Sequence, residues 1–220
     1  MAVAALIFDM DGLLLDTETL YLRATQALLA PYGHTVEVAA YAEWIGRDVT
    51  WADFQAVYPC DLTEQEAWAW LRAEFHRLCA AELTLRPGVA EFLGGVGRGY
   101  RKAIASSTAR RTIEQHLTQL GLLDVFPIRA SGKEVAHGKP APDVFLDAAR
   151  QLDVPPAECV VFEDSPHGVQ GAKAAGMRAV AVPTELTAHC DFQLADLRVT
   201  RLDEVSAAWL AGPAATARRS

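Results

Sequence analysis

Ala4-Ala5-Leu6-Ile7-Phe8 followed by Asp9-Met10-Asp11-Gly12 is an apolar run without alternation that ends in two carboxylates and a glycine. A strand of that kind is buried on both faces, as in a parallel sheet covered by helices on either side. Four further short runs follow: Lys102 to Ala105, Val125 to Ala130, Cys159 to Phe162 and Arg178 to Val182. Between them Ile113, Leu117 and Leu120, ending at Gly121, recur at helical spacing, as do Val144, Phe145, Ala148 and Leu152 after Pro142. Ser165 and Pro166 supply an N-cap and a first helical position, with Gly176 as the stop. Strand and helix in alternation predict an α/β fold with a doubly wound parallel sheet.

Residues 17–86 break this rhythm, because they carry helix signals and no convincing strand. Thr63 with Glu66 fits a capping box, after which Trp68, Leu71, Phe75, Leu78 and Cys79 return at helical spacing. Ordinary connections in α/β units run to about 2–6 residues. The segment is therefore expected to be an inserted all-helical cap domain, 17–86, with the core domain formed by 1–16 and 87–220. Pro87-Gly88 punctuates the return to the sheet. Trp44, Trp51, Trp68 and Trp70 all fall in the insertion, where large rings give a small domain its core; one or two lining a substrate pocket is the alternative. The small, polar stretch 211–220 is expected to be a frayed tail.

Composition narrows the function classes. The chain has 220 residues, a formal charge of -8, 51% hydrophobic and 22% charged residues. That excludes a wholly disordered chain, and the glycines and prolines follow no collagen-like or repeat period. Without a basic stripe there is nothing to neutralise a nucleic-acid backbone, so no nucleic-acid partner is expected. Cys60, Cys79, Cys159 and Cys190 are too few and too scattered for a disulfide framework or a metal knuckle, and are read as idle thiols. The longest apolar runs are far shorter than the about 20 residues that span a bilayer. The stretch from Met1 to Leu15 lacks a basic leader and holds Asp9 and Asp11. The expectation is a cytoplasmic protein with no membrane partner, a monomer or a weak homo-oligomer.

Ligands of open α/β sheets bind beyond the carboxyl ends of the strands. Asp9 and Asp11 follow the first strand; Glu163 and Asp164 follow the strand Cys159 to Phe162. If those strands are neighbours, Asp9 and Asp164 face each other, and like charges so close need a proton or a cation between them. Hard oxygen ligands in small number suit Mg²⁺, which keeps several waters and accepts substrate phosphate oxygens. Two more strand ends bring Ser106 and Ser107, and Lys139 in Gly138-Lys139-Pro140. Hydroxyls, backbone N–H groups and an ammonium are what a phosphoryl group asks for. Lysine is otherwise scarce, at 102, 133 and 173 alone.

Taken together these stretches resemble the haloacid dehalogenase superfamily and, within it, the β-phosphoglucomutase-like phosphatases with a helical cap. The resemblance rests on Asp9-Met10-Asp11-Gly12-Leu13-Leu14-Leu15-Asp16-Thr17-Glu18, Ser106, Gly138-Lys139-Pro140-Ala141-Pro142-Asp143, and Phe162-Glu163-Asp164-Ser165 with Gly168, in that order and over essentially the whole chain. It implies a Rossmann-like core with the first strand central and a cap closing over the catalytic edge. It implies Asp9 as nucleophile, giving an aspartyl-phosphate, and Asp11 as the acid and then the base. It also implies Mg²⁺ on Asp9, Asp164 and the backbone carbonyl of Asp11, with Glu163 ligating or ordering waters. Ser106 and Lys139 would bind the phosphoryl oxygens, with Ser107 beside them. The expected function is a Mg²⁺-dependent phosphatase acting on a small-molecule phosphate ester, a sugar phosphate or similar metabolite.

Alternatives are weighed on residues. A dehalogenase needs neither the magnesium-binding pair nor an acid at Asp11. A phosphonatase needs a cap lysine, and 17–86 holds none. A sugar phosphomutase must hold a second phosphate against the cap; Gly46 and Arg47 are candidates, although Arg47 also has Glu43 and Asp48 close by to pair with. The resembling mutases carry a histidine where this chain has Tyr21, and a cap lysine that is missing here. The insertion holds five arginines against ten Asp or Glu, a balance of -5 that suits monophosphates. A receiver-like module lacks such an insertion, and a retired phosphate-binding scaffold would have lost one of Asp9, Asp11, Lys139 or Asp164. His137 and His167, next to Lys139 and Asp164, are read as surface or pocket-rim groups.

Overall fold

A computed structural model describes residues 2–44 and 50–212. Its strands are β1 (Ala5–Phe8), β2 (Arg101–Ser106), β3 (Ile128–Ser131), β4 (Cys159–Glu163), β5 (Arg178–Ala181) and β6 (Leu197–Arg198). The helices are α1 (Thr17–Leu29), α2 (Val38–Ala42), α3 (Trp51–Val57), α4 (Glu64–Glu82), α5 (Val89–Gly94), α6 (Arg110–Gln119), α7 (Asp143–Leu152), α8 (Pro166–Ala174) and α9 (Ala207–Ala211). The six strands form one parallel sheet in the order β3-β2-β1-β4-β5-β6. The chain therefore winds outward from β1 in one direction and then from β4 in the other. The switch point lies between β1 and β4, where ligands of doubly wound sheets bind.

The unalternating runs follow from this topology. Leu6, Phe8, Ile104, Val160 and Phe162 enter one core. Ala5, Ile7, Ala103, Ala105 and Val161 enter the other. Because α5 and α6 cover the first face and α7 and α8 the second, every position of a central strand must be apolar. Phe8 stacks on Phe162 across β1 and β4 with ring centroids 4.8 Å apart, with Phe92 and Phe126 edge-on to Phe8. The run Val125 to Ala130 pairs later than expected: Val125 and Phe126 still hydrogen-bond in the turn after Leu122, and pairing begins at Ile128. The two-residue β6 had no legible periodicity.

Between β1 and β2 lie α1 to α4. Both expected helix-start signals at Thr63 and Glu66 are made, Thr63 Oγ1 accepting from the Glu66 N–H and Glu66 accepting from the Thr63 N–H. Thr50 and Asp53 make an equivalent box at α3. Leu22, Leu28, Leu29, Phe54, Tyr58 and Ala67 form an apolar cluster that Leu186 joins, while Leu20, Leu71 and Leu78 pack into the core of the sheet's first face. Trp44, Trp51 and Trp68 pack around Phe54, as an aromatic core requires, while Trp70 is 41% exposed. The two connections to the sheet run side by side, the Asp16 N–H donating to the Thr84 carbonyl and the Arg86 N–H to that of Leu14. Among the described residues no helix is long and apolar enough to cross a membrane. Residues 213–220 of the expected frayed tail lie outside the described residues; Ala211 ends α9.

Candidate active site

The site grows out of the two strands at the switch point. The Asp9 N–H donates to the Phe162 carbonyl at 3.0 Å, so the chain leaving β1 is still registered to β4 when it places its first carboxylate. It then turns sharply, with the Leu14 and Leu15 N–H groups donating to the Met10 carbonyl. Gly12 makes that turn at φ +76°, and a Cβ there would run into the Asp164 carboxylate. Only glycine lets the two strand ends approach so closely.

Lys139 reaches in from the loop before α7. Its Nζ donates at 2.5 Å both to Asp9 Oδ1 and to Glu163 Oε1, and the side chain is 7% exposed. Phe145 of α7 closes over the ammonium, 5.0 Å from ring centroid to Nζ. Glu163 accepts on its other oxygen from the Ser165 hydroxyl at 3.0 Å, so both its oxygens are engaged within the chain. Asp11 sits at the opposite wall. Thr108 Oγ1 donates to its Oδ2 at 2.8 Å and Ser106 Oγ at 3.3 Å, while Ser106 also accepts from the Thr108 N–H. The β3 end supports that loop, Ser131 Oγ donating to the Thr108 carbonyl.

Electrostatically the site is overloaded with carboxylates. Burial pushes the Asp9 carboxyl up to about 8 although the Lys139 ammonium pulls it down, with Glu163 and Asp11 adding to the rise. Asp164 is raised well above the usual carboxylate range by burial, then by Asp9 and Glu163. Burial, Asp11 and Asp16 bring Glu18 to about 7. Lys139 is raised above the ordinary lysine value because Asp9 and Glu163 outweigh its burial. Lys139 is the one ammonium among these five carboxylates; Asp164, only 6% exposed, has no hydrogen-bond or ion-pair partner among the described residues and feels only the longer-range charge of Arg86. An unpartnered buried carboxylate beside another one is a demand for a cation. Among the described residues no three His, Cys, Asp or Glu side chains form a closed ligand cage. The demand at Asp9 and Asp164 fits Mg²⁺, which takes one or two carboxylates and completes its shell with water and phosphate oxygens.

These groups open into one cavity of about 360 Å³, lined by Asp9, Asp11, Ser106, Ser107, Lys139 and Asp164 among others. Every core residue singled out in the sequence except Glu163 lines it; Glu163 is fully buried behind Lys139. Gly46 and Arg47 lie outside the described residues. His137 turns its ring to Asp143 and His167 is exposed; neither lines the cavity. Nor does any tryptophan of the described residues: the insertion contributes Thr17, Glu18, Tyr21 and Phe75, the two rings meeting edge-on at 5.3 Å. Thr108, Thr112 and His116 are lining residues that the sequence did not single out. Thr108, two positions after Ser106, carried a signal in its proximity; His116 carried none, since it reads as one more polar position on α6.

Residues 6–182 match the model of the haloacid dehalogenase-like hydrolase family. Hexitol phosphatase B of Escherichia coli (strain K12) is 34% identical over 218 residues, covering 96% of this chain and 97% of its own. Fructose-1-phosphate phosphatase YqaB of the same organism is 36% identical over 189 residues, 81% of this chain and 96% of its own. Among solved structures, CbbY from Rhodobacter sphaeroides in complex with phosphate aligns with a TM-score of 0.77 at 30% identity, over 95% of this chain and 99% of that one.

Proposed function

The chain belongs to the haloacid dehalogenase-like hydrolases and is a phosphoric monoester hydrolase, and from that premise we propose a Mg²⁺-dependent phosphatase of small phosphorylated sugars or polyols that works through an aspartyl-phosphate on Asp9. The observation that carries this reading is the pairing of Asp9 with Lys139 at the switch point, with Asp11 held across the same cavity by Ser106 and Thr108. Relatives named for hexitol and fructose-1-phosphate support the substrate class.

In this reading Asp9, Asp164 and the Asp11 carbonyl would hold Mg²⁺, whose charge would offset that of the carboxylates as a dianionic phosphate approaches. An Asp9 oxygen attacks phosphorus, the bond from phosphorus to the ester oxygen breaks, and Asp11 gives its proton to the departing alkoxide. Asp11, now ionised, takes a proton from water as that water attacks the acyl-phosphate; inorganic phosphate leaves and Asp9 is restored. Lys139 and Ser106 bind the phosphoryl oxygens as charge moves across them. Glu163 holds Lys139 in place; with both oxygens engaged by Lys139 and Ser165 and no face on the cavity, it is not assigned to the metal or its waters, contrary to the expectation from the resemblance. Residues 1–16 and 87–220 are the catalytic domain, and 17–86 is the cap whose Tyr21 and Phe75 close the cavity over the alcohol.

Hydrolysis of p-nitrophenyl phosphate, followed by a screen of sugar and polyol phosphates, tests the proposal. Release of inorganic phosphate should stop in EDTA and return with Mg²⁺. Turnover indifferent to EDTA would remove the metal from the mechanism, and an isomerised sugar phosphate in place of free phosphate would make the protein a mutase.

A further inference from the structure

Beside the phosphoryl cavity lies a second one of about 540 Å³, between α4 and α6. Thr112 and His116 line both, so the two share a wall. The side chamber adds His76 and Cys79 from α4, and Arg111, Gln115 and Gln119 from α6. In a chain of charge -8 its lining contains no carboxylate.

Among the described residues, neither His116 Nδ1 nor the Arg111 side chain has a hydrogen-bond partner. His116 is 4% exposed, and its Nδ1 is buried without a hydrogen bond; burial holds its imidazole below the usual histidine range. A buried nitrogen left so is uncommon, and the imidazole that carries it stands in the wall common to both cavities. Arg111 has no hydrogen bond or ion pair among the described residues, although its neighbour Arg110 is forked onto Glu134 and the nearby Glu114 is held by Arg129. A guanidinium free beside a carboxylate-free chamber is a site for an anion.

Resting on the phosphatase reading, we propose that this chamber is a substrate subsite for a second anionic group, a carboxylate or a phosphate, on the alcohol part of the ester. The phosphoryl group sits on Lys139, the hydroxylated chain passes Thr112 and His116, and the distal anion meets Arg111. Such a local site is compatible with the acidic balance of the insertion, because α4 presents only His76, Cys79 and Ala80 to the chamber.

The test is calorimetric binding to the Asp9→Asn variant with Mg²⁺, alongside kcat/KM of the unaltered enzyme. The probes are an aldohexose phosphate against the aldonic acid phosphate of the same skeleton, and a ketohexose monophosphate against its bisphosphate. The anionic member of at least one pair should bind about tenfold more tightly, the worth of a charge-assisted hydrogen bond, and which pair responds tells carboxylate from phosphate. Arg111 is exposed, so Arg111→Gln should fold; it should bring the preference close to one, and Arg111→Lys should keep part of it. Equal binding within both pairs, or a preference that survives Arg111→Gln, overturns the subsite. Overturned in that way while p-nitrophenyl phosphate is still hydrolysed, the subsite falls alone; loss of all Mg²⁺-dependent hydrolysis overturns the phosphatase reading instead.

Discussion

Asp9 has to be ionised to attack, yet it is buried among carboxylates that oppose its ionisation. Lys139 is the cation that bridges Asp9 and Glu163. Asp9→Asn keeps the volume and loses the nucleophile, so kcat should fall by about 10⁴-fold or more while the far-UV circular dichroism and cooperative melt persist. Substantial activity in that variant would end the covalent mechanism. Asp11→Asn separates the two half-reactions. A nitrophenolate leaves without help from an acid, whereas a sugar alkoxide does not. The variant should therefore release about one equivalent of p-nitrophenol rapidly and then stall as the phosphoenzyme, while a sugar phosphate fails already at the first step. Steady release of p-nitrophenol without a burst would remove Asp11 from the second half-reaction. The carboxylates and Lys139 were legible as residues because each closes a strand or sits in a proline-framed loop. His116 was not, because its place between two cavities depends on α4 coming up to α6, which joins positions 40 apart as in the hydrogen bond from Gln119 to the Cys79 carbonyl.

The β4-to-α8 junction shows how tightly an element end can be drawn onto the site. Ser165 caps α8 by accepting from the Gly168 N–H at 3.1 Å. A Cβ on Gly168 would fall on the Glu163 carboxylate. Gly168→Ala should therefore push Glu163 off Lys139, costing about 1–3 kcal/mol of stability by overpacking and about tenfold or more in kcat/KM. Urea unfolding and initial rates check both; a variant as active as the parent would show that Glu163 does not hold Lys139 in its working position. Helix starts with a Ser or Thr cap were readable where a Glu stood at the third position, as at Thr63, or a Pro at the first, as at Ser165. Thr50 with Asp53 escaped because the shorter acid is not the expected capping-box partner, and β6 because two residues have no period.

Buried carboxylates that hold protons make the pH dependence of the protein an inverted one. Asp9 rises from 3.8 to about 8 and Glu18 from 4.5 to about 7, with Asp164 raised as well. Without metal the native state keeps protons that the unfolded chain has released, so the stability these groups contribute is complete below about pH 4 and is lost as pH climbs toward 8. Lys139, raised, titrates above this window, and surface acids such as Glu66 and Glu134, lowered by their donors, act below it. Mg²⁺ favours the ionised forms, so its effect on Tm should grow from about pH 5 to about pH 8, while Tm in EDTA falls. A metal shift of equal size at both ends would contradict the assignment of Asp9 and Asp164 as the ion's ligands. Chain order and local pattern were enough to specify the parallel sheet, the helical insertion and the strand-end carboxylates, because backbone period, caps and buried runs are properties of neighbours in sequence. Which carboxylate would be left without a partner, that Glu163 would turn inward to Lys139, and that α4 and α6 would enclose a carboxylate-free chamber depended on packing between distant segments, where burial and charge are set by what the fold brings into contact.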